Sequence, residues 1–161
     1  MDADARAAIG ERGESWFKIH ISQFGESGRP LFRATHLGGK WPTVDYLVEA
    51  LGTGEKTAFC LVQVKSSGSA GSRSIPVTIT DESFRRLAAI PVPAYLIGID
   101  DVTGTGYILS VNGRREPVSS VPRTYPIDAE NRERLWREVV AYWDSVVALP
   151  FASFFAEPQP G

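Results

Sequence analysis

The residues best suited to chemistry lie on two predicted strands that a glycine-rich loop joins into a hairpin. Asp45 and Gln63 lie nine residues before and nine residues after Gly54, the centre of that loop, so their side chains are expected to face each other. The two-residue period of a strand places Lys65 on the same face as Gln63. A register slip of one residue would separate them. The spacing therefore predicts a polar cluster of Asp45, Gln63 and Lys65 at one end of an otherwise apolar surface.

This cluster has the composition of a magnesium site. A Lys and an Asp in the half-buried part of a hairpin must be paired or solvated. Mg²⁺ prefers oxygen ligands, keeps several waters and is held by one or two carboxylates together with substrate phosphate. Asp45 would supply a carboxylate, Gln63 its amide oxygen and Val64 its main-chain carbonyl. Lys65 would then orient the attacking water or neutralise charge on the transferring phosphate.

The first predicted helix offers a second acid. Ala7, Gly10, Glu14, Phe17 and Ile21 fall on one stripe at helical spacing, and Glu14 is its only charged member. A carboxylate on an apolar helix face, preceded by small residues, can reach a site on the sheet. The alternative is that Glu14 lies at the edge of the stripe and points to water.

The motif resembles a known group of nucleases. Asp45, followed after 17 residues by Gln63-Val64-Lys65-Ser66-Ser67, resembles the PD-(D/E)XK superfamily in its D…QxK form. With Gly13-Glu14 on the first helix and the later strand at residues 91–97, the pattern resembles the domain of unknown function 4365 family. That family is a bacterial set usually placed in this superfamily. The resemblance covers roughly residues 5–145.

This resemblance implies a restriction-endonuclease-like core and Mg²⁺-dependent cleavage of phosphodiester bonds, with Mn²⁺ as a possible substitute. It would make Asp45 the metal-binding acid, Gln63 the residue at the variable acid position, Lys65 the catalytic lysine and Glu14 the helix-borne acid. Gln63 is a departure, because many members carry Glu or Asp there, although the Mrr-like restriction branch also shows Gln. A neutral ligand would weaken metal binding, which favours one metal over two and leaves an inactive descendant open.

Contacts to nucleic acid are expected just after the motif. Ser66 and Ser67 could contact phosphate, although serines in this position more often simply end a strand. Arg73 lies in a small-residue loop after Lys65 and is the best candidate for a phosphate contact. His20 and His36 have no metal-ligand spacing to each other or to Cys60, so we expect a surface or core role for both.

The elements that must position these residues alternate between helix and strand. The order α-β-β-β-α-β-β-α predicts an α/β domain with a mixed β-sheet flanked by helices. The strand at residues 57–66 is mostly apolar and should be central. The hairpin register also pairs Leu47 with Leu61 and Glu49 with Phe59. The predicted helices cover residues 4–23, 81–89 and 127–148, and the predicted strands cover 31–37, 43–51, 57–66, 92–99 and 105–111, with a short extended piece at 75–78.

Composition limits the classes of protein that the chain could be. Its 161 residues, 43% of them hydrophobic, suit one domain at residues 1–150, followed by a tail at 151–161 that we expect to be disordered. No apolar run is long enough to span a membrane, and the acidic start is not a signal peptide, so we expect a cytoplasmic protein. Cys60 stands alone, which excludes a disulfide framework. The net charge of −2 means that a nucleic-acid partner must meet a local basic patch.

Three functions from different classes are compatible with these residues. The first is a metal-dependent nuclease that acts on DNA. The second is a non-catalytic module of a defence system that keeps the nuclease fold and binds nucleic acid or a protein partner. The third is a homodimer-forming structural domain built on the exposed part of the C-terminal helix.

Overall fold

The computed structural model describes residues 1–69, 71, 73–146 and 154–155. Within these residues the chain forms three α-helices and seven β-strands. The helices are α1 (Ala3–Ile21), α2 (Asp81–Ala88) and α3 (Ala129–Ser145). The strands are β1 (Phe32–His36), β2 (Tyr46–Ala50), β3 (Ala58–Ser67), β4 (Ser74–Pro76), β5 (Ala94–Asp100), β6 (Thr105–Ser110) and β7 (Ser120–Pro122).

Side-chain caps fix where the three helices begin. Asp2, Thr80 and Asp128 each accept a hydrogen bond from the backbone N–H three residues later, at 2.7, 3.2 and 2.8 Å. Thr80 and Asp128 directly precede α2 and α3, and short polar residues of this kind are favoured at the N-cap. The third helix ends at Ser145 rather than at Ala148, and Ala148 lies outside the described residues.

The chain has a mixed α/β architecture around a five-stranded sheet in the order β1-β2-β3-β5-β6. Strands β1, β2 and β3 form an antiparallel meander. β3 and β5 are parallel, and the segment that contains α2 connects them. β5 and β6 are again antiparallel. The predicted central place of β3 is confirmed, because the strand has a partner on each side.

A second, two-stranded sheet of β4 and β7 was only half expected from the sequence. The extended piece predicted near Ile75 is β4, and no strand was predicted at β7. Each of these strands has three residues and contains a proline, so neither carries enough periodicity to be recognised alone. Their pairing is set by long-range packing: Ile75 and Val121 face each other across the ladder and are fully buried.

Two layers of side chains cover the large sheet. Helices α1 and α3 cover one face, where Phe17, Ile21, Leu135 and Val139 pack with Val48, Cys60, Val62 and Ile97. Helix α2 and the small sheet cover the other face, where Ile75, Phe84, Leu87 and Val121 pack with Leu96. The sheet is therefore buried on both sides. Its functional surface must lie at an edge or at the ends of strands.

Two of the remaining expectations can be compared with the structure. Among the described residues no helix is both long enough and apolar enough to cross a bilayer. Cys60 is a free, fully buried thiol, and burial raises its pKa. The tail predicted at residues 151–161 lies outside the described residues except for Phe154 and Phe155.

Candidate functional site

A cleft of about 820 Å³ opens where β3 continues beyond its neighbour β2. The β2–β3 ladder ends at the pair Tyr46–Val62, whereas β3 runs on to Ser67. The last part of β3 is therefore free on the side where β2 would otherwise pair with it. Four segments surround the cleft: α1, the residue before β2, the end of β3 with the loop after it, and β4. Its lining includes Arg6, Gly10, Glu14, Asp45, Val64, Lys65, Ser66, Ser67 and Thr78.

Asp45 closes the free edge of β3 with its side chain. The predicted hairpin register is confirmed at Leu47–Leu61 and Glu49–Phe59, but the ladder stops one pair before Asp45. The Asp45 N–H donates to the Val62 carbonyl at 2.9 Å, and the Asp45 carboxylate accepts from the Val64 N–H at 2.7 Å. The carboxylate thus replaces the next strand partner. It is fixed by the main chain of β3 rather than by the side chain opposite.

The structure corrects the predicted position of Gln63 in the polar cluster. Its side chain is only 5% exposed and does not line the cleft. Strand alternation and the pairing with β5 place Gln63 beside Leu96, on the face that α2 and the small sheet cover. Its Oε1 atom is buried without a hydrogen-bond donor among the described residues. Gln63 is therefore a buried amide next to the site, not an open ligand beside Lys65.

Glu14 reaches the cleft from α1, as the helical stripe predicted. It lines the same cavity as Asp45 and Lys65. The approach depends on Gly13, where an added Cβ would lie 2.5 Å from the Cβ of Ser66. A glycine at this position lets α1 pack directly against the end of β3. Glu14 therefore lines the cleft and contacts His36, with its side chain 38% exposed.

The two carboxylates share a partly desolvated space. Burial and the nearby charge of Asp45 raise the pKa of Glu14, and His36 works against that shift. Burial also raises the pKa of Asp45, although the Val64 N–H and the charge of Lys65 oppose it. Burial and both carboxylates raise the pKa of Tyr46 to about 12. Two acids held together in this way create a negative site that a cation would relieve.

His36 is a member of the site that the sequence analysis assigned elsewhere. Its Nε2 atom lies 3.3 Å from the Glu14 carboxylate, and its ring contacts the Tyr46 ring edge-on at 5.2 Å between centroids. His36 pairs with Tyr46 in the β1–β2 ladder, so it lies next to Asp45 at the end of the sheet. Its place depends on the β1–β2 ladder, and the nine-residue connection (37–45) leaves that register open in the sequence.

The predicted nucleic-acid contacts divide into two groups. Ser66 and Ser67 line the cleft, but the Ser66 hydroxyl donates to the Ile9 carbonyl at 2.8 Å and so also ties β3 to α1. Arg73 is exposed and does not line the cleft, so the structure does not bring it to Lys65. Arg6 of α1 lines the cleft instead, and no motif or spacing singles out this residue in the sequence.

The donor set suits a cation that keeps part of its water shell better than a metal that is held entirely by protein side chains. Among the described residues no three His, Cys, Asp or Glu side chains lie close enough together to hold a metal ion. The cleft is lined by two partly buried carboxylates, those of Asp45 and Glu14. Val64 and Lys65 line the same cleft. Mg²⁺ suits such a site, because it completes its shell with water and substrate phosphate.

Comparison with known proteins yields no relative: no family model, no curated protein and no solved structure matches the chain. The resemblance to the domain of unknown function 4365 family therefore stays a prediction. What the cleft does is inferred below from its geometry and charge.

Proposed function

We propose that this chain is a Mg²⁺-dependent phosphodiesterase domain that acts on DNA and has a restriction-endonuclease-like core. The observation that carries the proposal is the convergence of Glu14, Asp45 and Lys65, from three separate segments, on one cleft at the free end of β3. The hairpin of β2 and β3 in a mixed sheet between α1 and the later helices supports the proposed core.

Each group in the cleft has a distinct role in this proposal. The carboxylates of Asp45 and Glu14 would hold the cation, and the Val64 N–H keeps Asp45 in one orientation. A bound Mg²⁺ lowers the pKa of a water ligand and stabilises charge on the phosphate oxygens. The Lys65 ammonium would position that water or face the developing negative charge. Gln63 is buried beside Leu96 and touches no substrate.

Hydrolysis then requires little covalent work from the protein. The attacking water gives up one proton to solvent as its oxygen forms a bond to phosphorus, the bond from phosphorus to the leaving oxygen breaks, and the leaving oxygen takes up a proton from solvent. The protein contributes alignment and charge, which is the main source of rate in phosphoryl transfer.

A plasmid-cleavage assay with Mg²⁺ or Mn²⁺ tests this function. Asp45→Ala and Lys65→Ala should each lower the cleavage rate by about 100-fold or more, the size of loss seen when a preorganised charged group is removed. Lys56→Ala is the matched control, because Lys56 lies in the same hairpin but is exposed and paired with Asp144 at 2.7 Å. Equal rates in all four proteins would rule out the mechanism.

One observation favours a second function, a non-catalytic module that binds nucleic acid or a protein partner. The residue at the variable acid position, Gln63, is neutral and buried. This position therefore adds no third carboxylate to Asp45 and Glu14 in the cleft. Metal titration separates the two functions. The nuclease proposal requires a divalent-cation site that disappears in Asp45→Ala, and the module does not.

A further inference from the structure

The loop between β1 and β2 ends at Asp45, a residue that lines the cleft. This segment, the β1–β2 lip (residues 37–45), starts directly after His36 and ends at Asp45, so site residues flank it at both ends. The Leu37 N–H donates to the Asp45 carbonyl at 2.9 Å, and Val44 is buried in the second core. The base of the lip is therefore fixed, and its tip, residues 39–42, is exposed.

Trp41 lies at the tip of the lip and is 55% exposed. Among the described residues its indole has no ring contact and no hydrogen bond; only its backbone N–H is bonded, to the Gly38 carbonyl at 3.4 Å. The other three tryptophans are partly buried and pack against the main core. A tryptophan that leaves so much apolar surface in water contributes little to folding, and it has a face free for a ligand.

The backbone of the lip holds Trp41 in this outward position. Thr43 has a φ of +75°, an unusual value for a β-branched residue, and its hydroxyl is buried without a partner. Gly38 turns the chain at the other side of the tip with a φ of +74°. Pro42 restricts the backbone conformation of Trp41, the residue before it. Strain of this kind persists where the surrounding structure imposes it, and it clusters at ligand-binding sites.

The surroundings of Trp41 suit a nucleic-acid base. Trp41 is four residues from Asp45, so their Cα atoms are at most about 14 Å apart. A strand whose phosphate lies at Asp45 therefore has a base one or two nucleotides away within reach of the indole. Lys40 next to Trp41, and Arg6 and Lys65 in the cleft, form no salt bridge among the described residues and are available to phosphates.

We propose that Trp41 is a stacking platform for an unpaired base, so that the cleft takes single-stranded or locally unpaired nucleic acid. In a duplex each base is already stacked on its neighbours, and its face is not available to an indole. Stacking on an aromatic side chain binds single strands with little sequence preference. This inference rests on the proposed function only in placing the backbone of the strand in the cleft.

Binding of fluorescein-labelled oligothymidylate, followed by anisotropy in Ca²⁺ buffer, tests the inference. The wild-type chain should bind the single strand more tightly than a duplex of the same length. Trp41→Ala should weaken binding of the single strand by about 5- to 100-fold, and Trp41→Phe should restore most of the loss. Phe24→Ala is the matched control, because Phe24 is 63% exposed in a turn after α1 that contributes no residue to the cleft, and it should bind like the wild type.

The outcomes separate this inference from the proposed function. Binding that depends on Trp41, in a chain that cleaves no substrate with Mg²⁺ or Mn²⁺, would support the platform and refute the nuclease. Cleavage with unchanged binding in Trp41→Ala would refute the platform alone. A preference for duplex also overturns the platform. So does the absence of binding to any oligonucleotide, which would leave the lip as a contact for a protein partner.

Discussion

Asp45 carries its charge in a place where folding gains little from it. Burial raises the pKa of this carboxyl group, and the opposing effects of the Val64 N–H and Lys65 do not cancel the shift. A carboxyl group whose pKa is raised in the folded state destabilises that state once the pH exceeds the pKa of the unfolded chain. Such a group is more easily explained by function than by stability.

The first prediction at this scale concerns Asp45→Asn. The amide keeps an oxygen for the Val64 N–H and removes the desolvated charge, so the free energy of unfolding should increase at pH 7 while cleavage is lost. The gain should disappear below about pH 3.9, where the carboxyl group is protonated in the folded and the unfolded chain alike. Urea unfolding of both proteins from pH 3 to pH 8 measures this. A variant less stable than the wild type at pH 7 would contradict the prediction.

Asp100 provides a control of opposite sign. Burial alone would raise its pKa, but hydrogen bonds from Arg123 at 2.7 Å and from the residues after it lower the pKa below its ordinary value. The stability that this carboxylate contributes is present above the unfolded pKa and is lost as the pH falls through the folded pKa. Asp100→Asn should therefore destabilise the fold at pH 7, by about 1.5–3 kcal/mol for hydrogen bonds to a charged group in a partly buried pair, with the difference shrinking in acid.

Residue-scale prediction from the sequence succeeded where contacts are local and failed where they are not. The position of Asp45 beside the middle of β3 follows from a loop centred on Gly54 and a fixed period. The burial of Gln63 depends on β5 and the layer of α2, which are distant in the chain. The place of His36 depends on the β1–β2 ladder, whose connection is too long to fix a register.

At the scale of elements, the packing of α1 on the end of β3 decides whether Glu14 reaches the site. Gly13 and Ser66 are in such close contact that a Cβ on Gly13 would lie 2.5 Å from the Ser66 Cβ and 2.6 Å from its Oγ. Ser66 is short and lies on a strand, so it cannot move aside as the end of a flexible side chain could. The glycine therefore sets the distance between helix and sheet.

Gly13→Ala should destabilise the fold by about 1–3 kcal/mol and reduce cleavage, because α1 must shift away from β3. Gly10→Ala is the matched control in the same helix. Nothing lies within 4 Å of a Cβ added at Gly10, so the better helix propensity of alanine should stabilise the fold by about 0.5–1 kcal/mol. Thermal unfolding measures both.

Removal of the obstacle gives a further check on Gly13. In a Ser66→Gly background the substitution Gly13→Ala should lose most of its cost, since both atoms that it would meet are gone. Additive effects of the two substitutions would show that close packing of α1 on β3 is not the cause.

Element boundaries show which features the sequence determines directly. The caps at Thr80 and Asp128, the central β3 and the order of the longer elements follow from local composition and periodicity. The strand β7 does not, because three residues that include a proline become a strand only when β4 is beside them.

For the molecule as a whole, charge bears most on the proposed partner. The net charge is −2, so attraction to a polynucleotide must come from a few local cations. Arg6, Lys40 and Lys65 are the three at the cleft and the β1–β2 lip that form no salt bridge among the described residues. The repulsion from the rest of the surface should keep binding moderate.

This charge distribution predicts a shallow salt dependence. Three phosphate contacts to a single strand correspond to a slope of about −2 for the logarithm of the binding constant against the logarithm of the salt concentration. Anisotropy between 50 and 200 mM NaCl measures the slope, and Arg6→Ala should reduce it by about 0.7. A slope of −5 or steeper would mean that a much larger basic surface takes part.

The single cysteine gives the chain a chemical reporter of its own opening. Cys60 lies on β3 in the middle of the large sheet, with a fully buried thiol and a raised pKa. A water-soluble alkylating reagent can modify the thiol only when the strands part, so the labelling rate reports how often the sheet opens at β3. A cation or an oligonucleotide that bridges α1 and β3 would slow the labelling without any engineered probe.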